Sequence, residues 1–240
     1  MIATRNIHGL HISNLTMDET VAAILGMLEE PRLHTVFTPN AEIVMQAYRD
    51  SSLAALLNGA DLLLPDGAGV VLGAKILGTP LKAKVSGIDA ARRLMQVKHR
   101  RPLRFYLFGG KPGVAEQAAI HLLSDHPGIE IAGFRNGYFT ELEEAGIVDE
   151  INRTQADILF VCLGVPKQER WIEKHRSRLN CRVAMGLGGS LDVFAGTGKL
   201  APEWMRRAGL EWLFRLMREP YRWKRMMDLP RFMLLTIRTR

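Results

Sequence analysis

Residues 157–169 read Asp-Ile-Leu-Phe-Val-Cys-Leu-Gly-Val-Pro-Lys-Gln-Glu (DILFVCLGVPKQE), and their order decides the fold. Asp157–Leu163 is a short apolar, strand-like run. It ends in a turn at Gly164–Pro166, and a charged helical pattern, Lys167–Arg178, follows at once. The same unit recurs outward in both directions. Strands are predicted at His34–Thr38, Asp61–Pro65, Leu103–Phe108, Ile129–Phe134 and Arg182–Leu187. Helices are predicted between them, at Ala41–Leu57, Gly67–Leu77, Gly87–Lys98, Pro112–Ser124 and Glu141–Arg153. Strand and helix taking turns predicts an α/β fold with a mainly parallel sheet. A strand or hairpin (Asn6–Ile12) and a helix (Met17–Glu29) precede it. No internal repeat or low-complexity segment interrupts the pattern. After Gly198 only helices are expected, broken by Pro202, Pro220 and Pro230. The predicted architecture is a Rossmann-like, mainly parallel sheet flanked by helices over residues 1–199, with a helical appendage over 200–240.

Charge divides the chain at the same place. The 240 residues carry a net charge of +7, and ten Lys/Arg against four Asp/Glu in Ala201–Arg240 account for +6 of it. Trp204, Trp212, Trp223 and five of the eleven methionines lie in this stretch too. Leu210, Leu213, Phe214 and Met217 fall at i, i+3, i+4, i+7, with Glu211, Arg215, Arg218 and Arg222 on another face. That is an amphipathic helix with a basic side. A near-neutral body with such a tail implies one part for chemistry and one that meets an anionic partner: nucleic acid, membrane surface or phosphorylated substrate. Cations alternating with Trp and Leu at helical spacing, with no recognised nucleic-acid module, favour a membrane over a nucleic acid.

The apolar and charged fractions, 47% and 24%, are those of a globular chain. Met1–Asn6 leads into no continuous apolar run, so no signal peptide is expected. No run approaches the roughly 18 apolar residues of a membrane span. The expectation is a cytoplasmic protein able to rest on the inner face of the cell membrane. Cys162 and Cys181 each sit in an apolar run and read as reduced, buried thiols.

In parallel α/β sheets ligands sit at the carboxyl ends of the strands. Five such ends carry polar or glycine-rich turns. Thr38-Pro39-Asn40 precedes a helix, where Thr38 and Asn40 either cap it or line a pocket. Asp66 follows three leucines and Pro65 and adjoins Gly67. It is a candidate general base with a raised pKa, and a helix N-cap is its plainer role. Gly109-Gly110-Lys111-Pro112-Gly113 opens a helix and offers backbone N–H groups to a phosphate. It is neither a Walker loop nor a full GxGxxG. Lys167 and Gln168 stand at a helix start, within reach of phosphate or sugar or simply in a solvated first turn. Gly186-Leu187-Gly188-Gly189-Ser190-Leu191-Asp192 permits close backbone approach, with Asp192 an acceptor for a ribose or base. Together the five turns favour a ligand containing a nucleotide.

There is no Asp-X-Asp pair for a divalent ion on a diphosphate and no His/Cys cluster with zinc spacing. Gly-X-Ser-X-Gly is absent, which argues against an α/β-hydrolase. A departing diphosphate would then have to be met by Lys, Arg and helix N-termini. The body has few cations to spare, and the tail has ten.

These segments, in this order, resemble the WecG/TagA/CpsF glycosyltransferase family (glycosyltransferase family 26). The resemblance rests on Thr38-Pro39-Asn40-Ala41-Glu42, Ala60-Asp61 through Pro65-Asp66-Gly67, Gly164-Val165-Pro166-Lys167-Gln168-Glu169 and Gly188-Gly189-Ser190-Leu191-Asp192. In the tail it rests on Glu211-Trp212-Leu213-Phe214-Arg215 and Glu219-Pro220-Tyr221-Arg222, and it spans Ile7 to Phe232. It implies inverting transfer of a sugar from a UDP-sugar to a polyprenyl-diphosphate-linked saccharide at the cytoplasmic membrane face, without a cofactor. The branch closest in appearance transfers N-acetylmannosamine to undecaprenyl-diphosphate-linked N-acetylglucosamine for the teichoic acid linkage unit. UDP-N-acetylmannosaminuronic acid and UDP-glucose are the alternative donors.

The resemblance also implies roles. Asp66 would be the base that deprotonates the acceptor hydroxyl. Thr38 and Asn40 would line the sugar pocket, and Gln168 would reach donor or acceptor hydroxyls. Gly109, Gly110, Gly188, Gly189 and Asp192 would hold the UDP, with Pro166 and Lys167 among the substrate-contacting positions. Arg215, Arg222 and Arg225 would close over the site and neutralise the diphosphate. Lys84 stands where the family usually has Arg, which keeps the charge and loses the planar fork. The sequence leaves a homo-oligomer open.

Overall fold

The computed structural model describes residues 2–220 and 223–240. Strands β1 (Thr4–Ile7) and β2 (Leu10–Ser13) form an antiparallel hairpin, followed by α1 (Met17–Met27) and β3 (His34–Phe37). Helices α2 (Ala41–Arg49) and α3 (Ser51–Asn58) lead to a two-residue strand, β4 (Leu62–Leu63), then to α4 (Ala68–Ile76) and α5 (Gly87–Gln96). Next come β5 (Arg104–Gly109), α6 (Val114–Asp125), β6 (Glu130–Arg135), a 3-10 turn at Glu141–Glu143 and α7 (Glu144–Arg153). Strand β7 (Ile158–Cys162), α8 (Lys167–Lys174), β8 (Val183–Gly186) and α9 (Ser190–Phe194) complete the alternation. Four helices follow among the described residues: α10 (Glu203–Arg207), α11 (Glu211–Arg218), α12 (Trp223–Met226) and α13 (Asp228–Arg238). The six-stranded parallel sheet runs β4–β3–β8–β7–β5–β6, flanked by helices, as the alternation predicts.

The chain divides into two compact units. The second comprises Thr20–Phe37 and Gly87–Lys199. Within it β3, β8, β7, β5 and β6 pair in parallel, with Phe105 beside Ile158 and Ile158 beside Val183. Every residue of β7 and β8 is buried, the continuous apolar pattern of strands covered on both faces. Phe105 and Phe160 pack at 5.2 Å between ring centroids, and Phe108 meets Trp171 of α8 at 4.8 Å.

The first unit comprises Met1–Glu19, Thr38–Ser86 and Leu200–Arg240. The expected border at 199/200 is where the second unit ends, but residues 200–240 pack with the two N-terminal segments in one unit. The hairpin turn is His8-Gly9, both at positive φ (49° and 90°), the geometry of a two-residue turn. The helix expected over 41–57 is two helices, because Asp50 ends α2 and its side chain caps α3, accepting from the backbone N of Ser52 and Leu53.

The tail is not uniform. In α13, Phe232 is fully buried, and a Cβ at Gly73 of α4 would lie 2.6 Å from its ring. Asp228 takes two 2.8 Å bonds from Arg49, which hold its carboxyl below its ordinary pKa. Thr236 donates to the Phe232 carbonyl and meets His8 Nε2 at 2.8 Å. By contrast, α11 buries no residue.

Candidate active site

In the first unit, backbone bonds gather three loops. Asp66 N donates to the Pro39 carbonyl at 3.2 Å, and Val85 N donates to the Pro65 carbonyl at 3.0 Å. Asn40 Oδ1 accepts from Ile43 N at 3.0 Å, so Asn40 is the N-cap of α2. The N-cap position of α4 falls on Gly67 rather than Asp66. Gly67 holds φ at 89°, a conformation that favours glycine, and a Cβ there would lie 3.8 Å from the Asn40 Cβ. Thr38 and Asp66 are both part-exposed.

Lys84 is part-buried, and its Nζ pairs with Glu211 Oε1 at 3.1 Å. The same oxygen lies 3.6 Å from Arg206 Nε. Two cations thus converge on one carboxylate at the start of α11. Arg215 and Arg225 are exposed on α11 and α12, and Arg222 lies outside the described residues.

In the second unit a cavity of about 660 Å³ opens at the carboxyl ends of β5, β6 and β7. One wall is Gly110 and Lys111 after β5. A second is Gly137-Tyr138-Phe139-Thr140 with Glu143, after β6. Cys162, Leu163, Lys167 and Asp192 complete it. Of the residues expected to contact substrate, Gly110, Lys167 and Asp192 therefore line one space. Gly109 stands just behind it at φ 138°, where a Cβ would come 2.2 Å from the Cys162 carbonyl oxygen. Gly110 N donates to that oxygen at 3.2 Å, and Gly137 N donates to Gly110 O at 2.9 Å. Gly137 also permits close approach, since its Cβ would meet Leu163 at 2.8 Å.

The second wall was not anticipated among the five turns. Its signal was present in Asn136-Gly137, a turn pair directly after a predicted strand. Thr140 and Glu143 form a capping box, with Glu143 Oε2 accepting from Thr140 N at 2.8 Å and Oγ1 at 2.9 Å. The backbone bond from Thr140 holds the Glu143 carboxyl below its ordinary pKa. Lys167 Nζ sits 4.3 Å over the Phe139 ring and 3.4 Å from the Gly137 carbonyl.

Gln168 and Glu169 are buried, each 1% exposed. Gln168 Oε1 accepts from Gly188 N at 2.9 Å, and its Nε2 donates to Glu169 Oε1 at 2.8 Å. Both ends of the amide are thus engaged inside the protein. Burial pushes the Glu169 carboxyl up to about 7. Gly189 is exposed, and Pro166 follows a cis Val165–Pro166 bond into α8. Both cysteines are free and buried, with burial pushing their thiols up to about 12. Neither offers a thiolate nucleophile at neutral pH.

The cavity combines two cations, an aromatic wall, the Asp192 carboxylate and backbone groups freed by glycine. These groups suit phosphate, base and sugar hydroxyls together. The first unit supplies a part-exposed carboxylate in a loop cluster with lysine and arginine nearby. Among the described residues no group of three or more His, Cys, Asp or Glu is arranged to hold a metal ion.

The chain is 33% identical over 236 residues to the N-acetylglucosaminyldiphosphoundecaprenol N-acetyl-beta-D-mannosaminyltransferase of Bacillus subtilis (strain 168), covering 98% of this chain and 91% of that one. Proteins of the same name match from Bacillus spizizenii (37% over 203 residues; 85% and 78%) and Staphylococcus aureus strain MRSA252 (34% over 230 residues; 95% and 90%). The profile of the Glycosyl transferase WecG/TagA/CpsF family matches residues 5–240, and the chain belongs to that family.

Proposed function

We propose that this glycosyltransferase moves N-acetylmannosamine from UDP-N-acetylmannosamine to a polyprenyl-diphosphate-linked N-acetylglucosamine. The relatives' shared activity over nearly the whole chain carries this reading. The UDP group occupies the cavity of the second unit. Asp192 accepts from its hydroxyls, and Lys111 and Lys167 meet its charge. Gly109, Gly110, Gly188 and Gly189 let the backbone come close to it.

The reaction is one displacement. The acceptor hydroxyl oxygen attacks the anomeric carbon, and the bond from that carbon to the UDP oxygen breaks, inverting the configuration. The hydroxyl proton passes to Asp66, and UDP leaves with the bonding electrons. Thr38 and Asn40 orient the transferred sugar. Lys84, Arg215, Arg222 and Arg225 neutralise the diphosphate charge. No protein nucleophile is required.

The tail docks on the membrane that holds the acceptor. Among the described residues no helix is long and apolar enough to cross a membrane. Trp204, Trp212, Met217, Trp223 and Met227 are exposed beside Arg207, Arg215 and Arg225, a mixture suited to an anionic bilayer surface. Incubation with polyprenyl-diphosphate-N-acetylglucosamine and each of the three UDP-sugars, with and without EDTA, tests the reaction. Mass spectrometry should find a disaccharide product from UDP-N-acetylmannosamine, unaffected by EDTA. Turnover only with UDP-glucose or the uronic acid donor would replace the assigned sugar. Sedimentation with vesicles containing phosphatidylglycerol tests the docking, and a protein left in the supernatant would refute it.

A further inference from the structure

Glu169, in the first turn of α8, is in a costly place. It is 1% exposed, and among the described residues its Oε2 is buried without a hydrogen-bond partner. Leu or Met would fill a similar volume without burying a carboxyl group. The 2.8 Å bond from Gln168 Nε2 offsets part of that cost.

Gln168 then acts on the backbone of the next strand end. Its Oε1 accepts from Gly188 N at 2.9 Å, and a Cβ on Gly186 would lie 2.9 Å from its Nε2. The neighbours decide which way the amide points. Gly188 N–H only donates, and Glu169 Oε1 accepts both in the ionised form and in the neutral form with its proton on the unpartnered Oε2. A flipped amide would set donor against donor at Gly188 and acceptor against acceptor at Glu169. The Gly188–Gly189 turn opens α9, whose Asp192 lines the cavity, and a Cβ on Gly189 would sit 3.8 Å from Asp192 Oδ2. On the other side, Lys167 precedes Gln168 and lines the same cavity.

We infer that Glu169 is a positioning residue for the donor: it holds the Gln168 amide in the orientation that pins Gly188, and so fixes Asp192 and Lys167 around a uridine diphosphate group. Glu169 does not touch the substrate. The consequence for the donor rests on the cavity being the UDP site, whereas the hold on Gly188 is a property of the protein alone.

The two parts are tested separately with Glu169→Gln and Glu169→Met. Hydrogen exchange at the Gly188 amide should quicken at least about tenfold in E169M, the effect of losing one buried hydrogen bond. In E169Q, which keeps an acceptor oxygen, it should stay within about threefold of wild type. In steady-state assays, E169M should raise KM for the UDP-sugar about tenfold with kcat within about threefold, and E169Q should restore KM. Unchanged Gly188 exchange in E169M, or E169Q as impaired as E169M, would overturn the positioning role. If E169M does not fold, E169Q alone decides: rapid Gly188 exchange in that isosteric variant overturns the role. Absence of UDP binding by the wild-type protein would instead overturn the donor site.

Discussion

In the first unit charge is met by charge. Asp228 lies 2.8 Å from Arg49 and 3.3 Å from Arg231, and Glu211 is shared by Lys84 and Arg206. Around the cavity of the second unit, where Arg135 also meets Glu143 at 3.3 Å, side chains hold backbone N–H groups as well as each other. Gly188 N is held by Gln168, Glu169 is met by Gln168, and Thr140 N by Glu143. The first arrangement keeps cations near the surface, where they can exchange one anion for another. The second removes side-chain bulk and sets distances, which suits recognition of a shape. Under the proposed function, proton transfer and charge neutralisation fall to the first unit and donor recognition to the second.

The sharpest way to break this assignment is Asp66→Asn. Transfer should fall by on the order of a thousandfold or more, while UDP affinity stays within about threefold. A matching loss of UDP affinity would place Asp66 with donor recognition instead. Gly109→Ala should act the other way. Its Cβ would run into the Cys162 carbonyl, and the accommodating shift should cost several kcal/mol of stability or abolish UDP binding, on the scale of about 1–3 kcal/mol for strained backbone plus lost packing. Calorimetry with UDP would read both terms.

Phe232→Ala should cost about 3–5 kcal/mol, because the ring fills the notch left by Gly73. Urea denaturation measures it. The same burial bears on a 1–199 truncation, which removes core from the first unit along with the basic tail. A loss of transfer by that truncation therefore does not isolate membrane docking. Substitution of the exposed Trp212 and Met217 on α11 does, since neither is buried nor assigned to the diphosphate.

The two units should also differ in the sign of their pH dependence. The Asp228 carboxyl is held below its ordinary value of 3.8, so its contribution is present above that value. It is lost as pH falls through the lower folded value. The destabilisation caused by Asp228→Asn should accordingly fade below about pH 4. Glu169 is raised from 4.5 to about 7, so the folded protein holds the extra proton between those values. Wild-type stability should therefore fall relative to E169Q as pH rises from about 4.5 to 7, by on the order of 3 kcal/mol. Urea titrations of the three proteins at pH 3, 5 and 8 would show whether the slopes are opposite. The smallest effect is expected of Arg215→Ala, about tenfold on transfer with unchanged stability, since it is exposed.

The alternation of strands and helices was legible because it is written in local periodicity. The polar strand ends were legible for a related reason: ligand-facing turns need Gly, Asp, Asn and Lys regardless of their neighbours. The break at Asp50 was not, because continuous helical spacing hides a side chain that caps the next helix. The Gly137–Thr140 wall was passed over because Asn136-Gly137 alone looks like any turn. Only its bond to Gly110 makes it part of a cavity.

The sequence by itself determined the α/β alternation, the concentration of cations after residue 200 and the family motifs with Asp66 among them. Tertiary structure alone decided which tail helix is anchored. Phe232 and Leu213 read alike in an amphipathic pattern, but only Phe232 finds a glycine notch, in α4 some 160 positions earlier in the chain. It also decided that Gln168 is engaged inside the protein, bridging Glu169 to Gly188. Gly188 lies twenty positions beyond Gln168, and no local periodicity records which partner a buried amide will find.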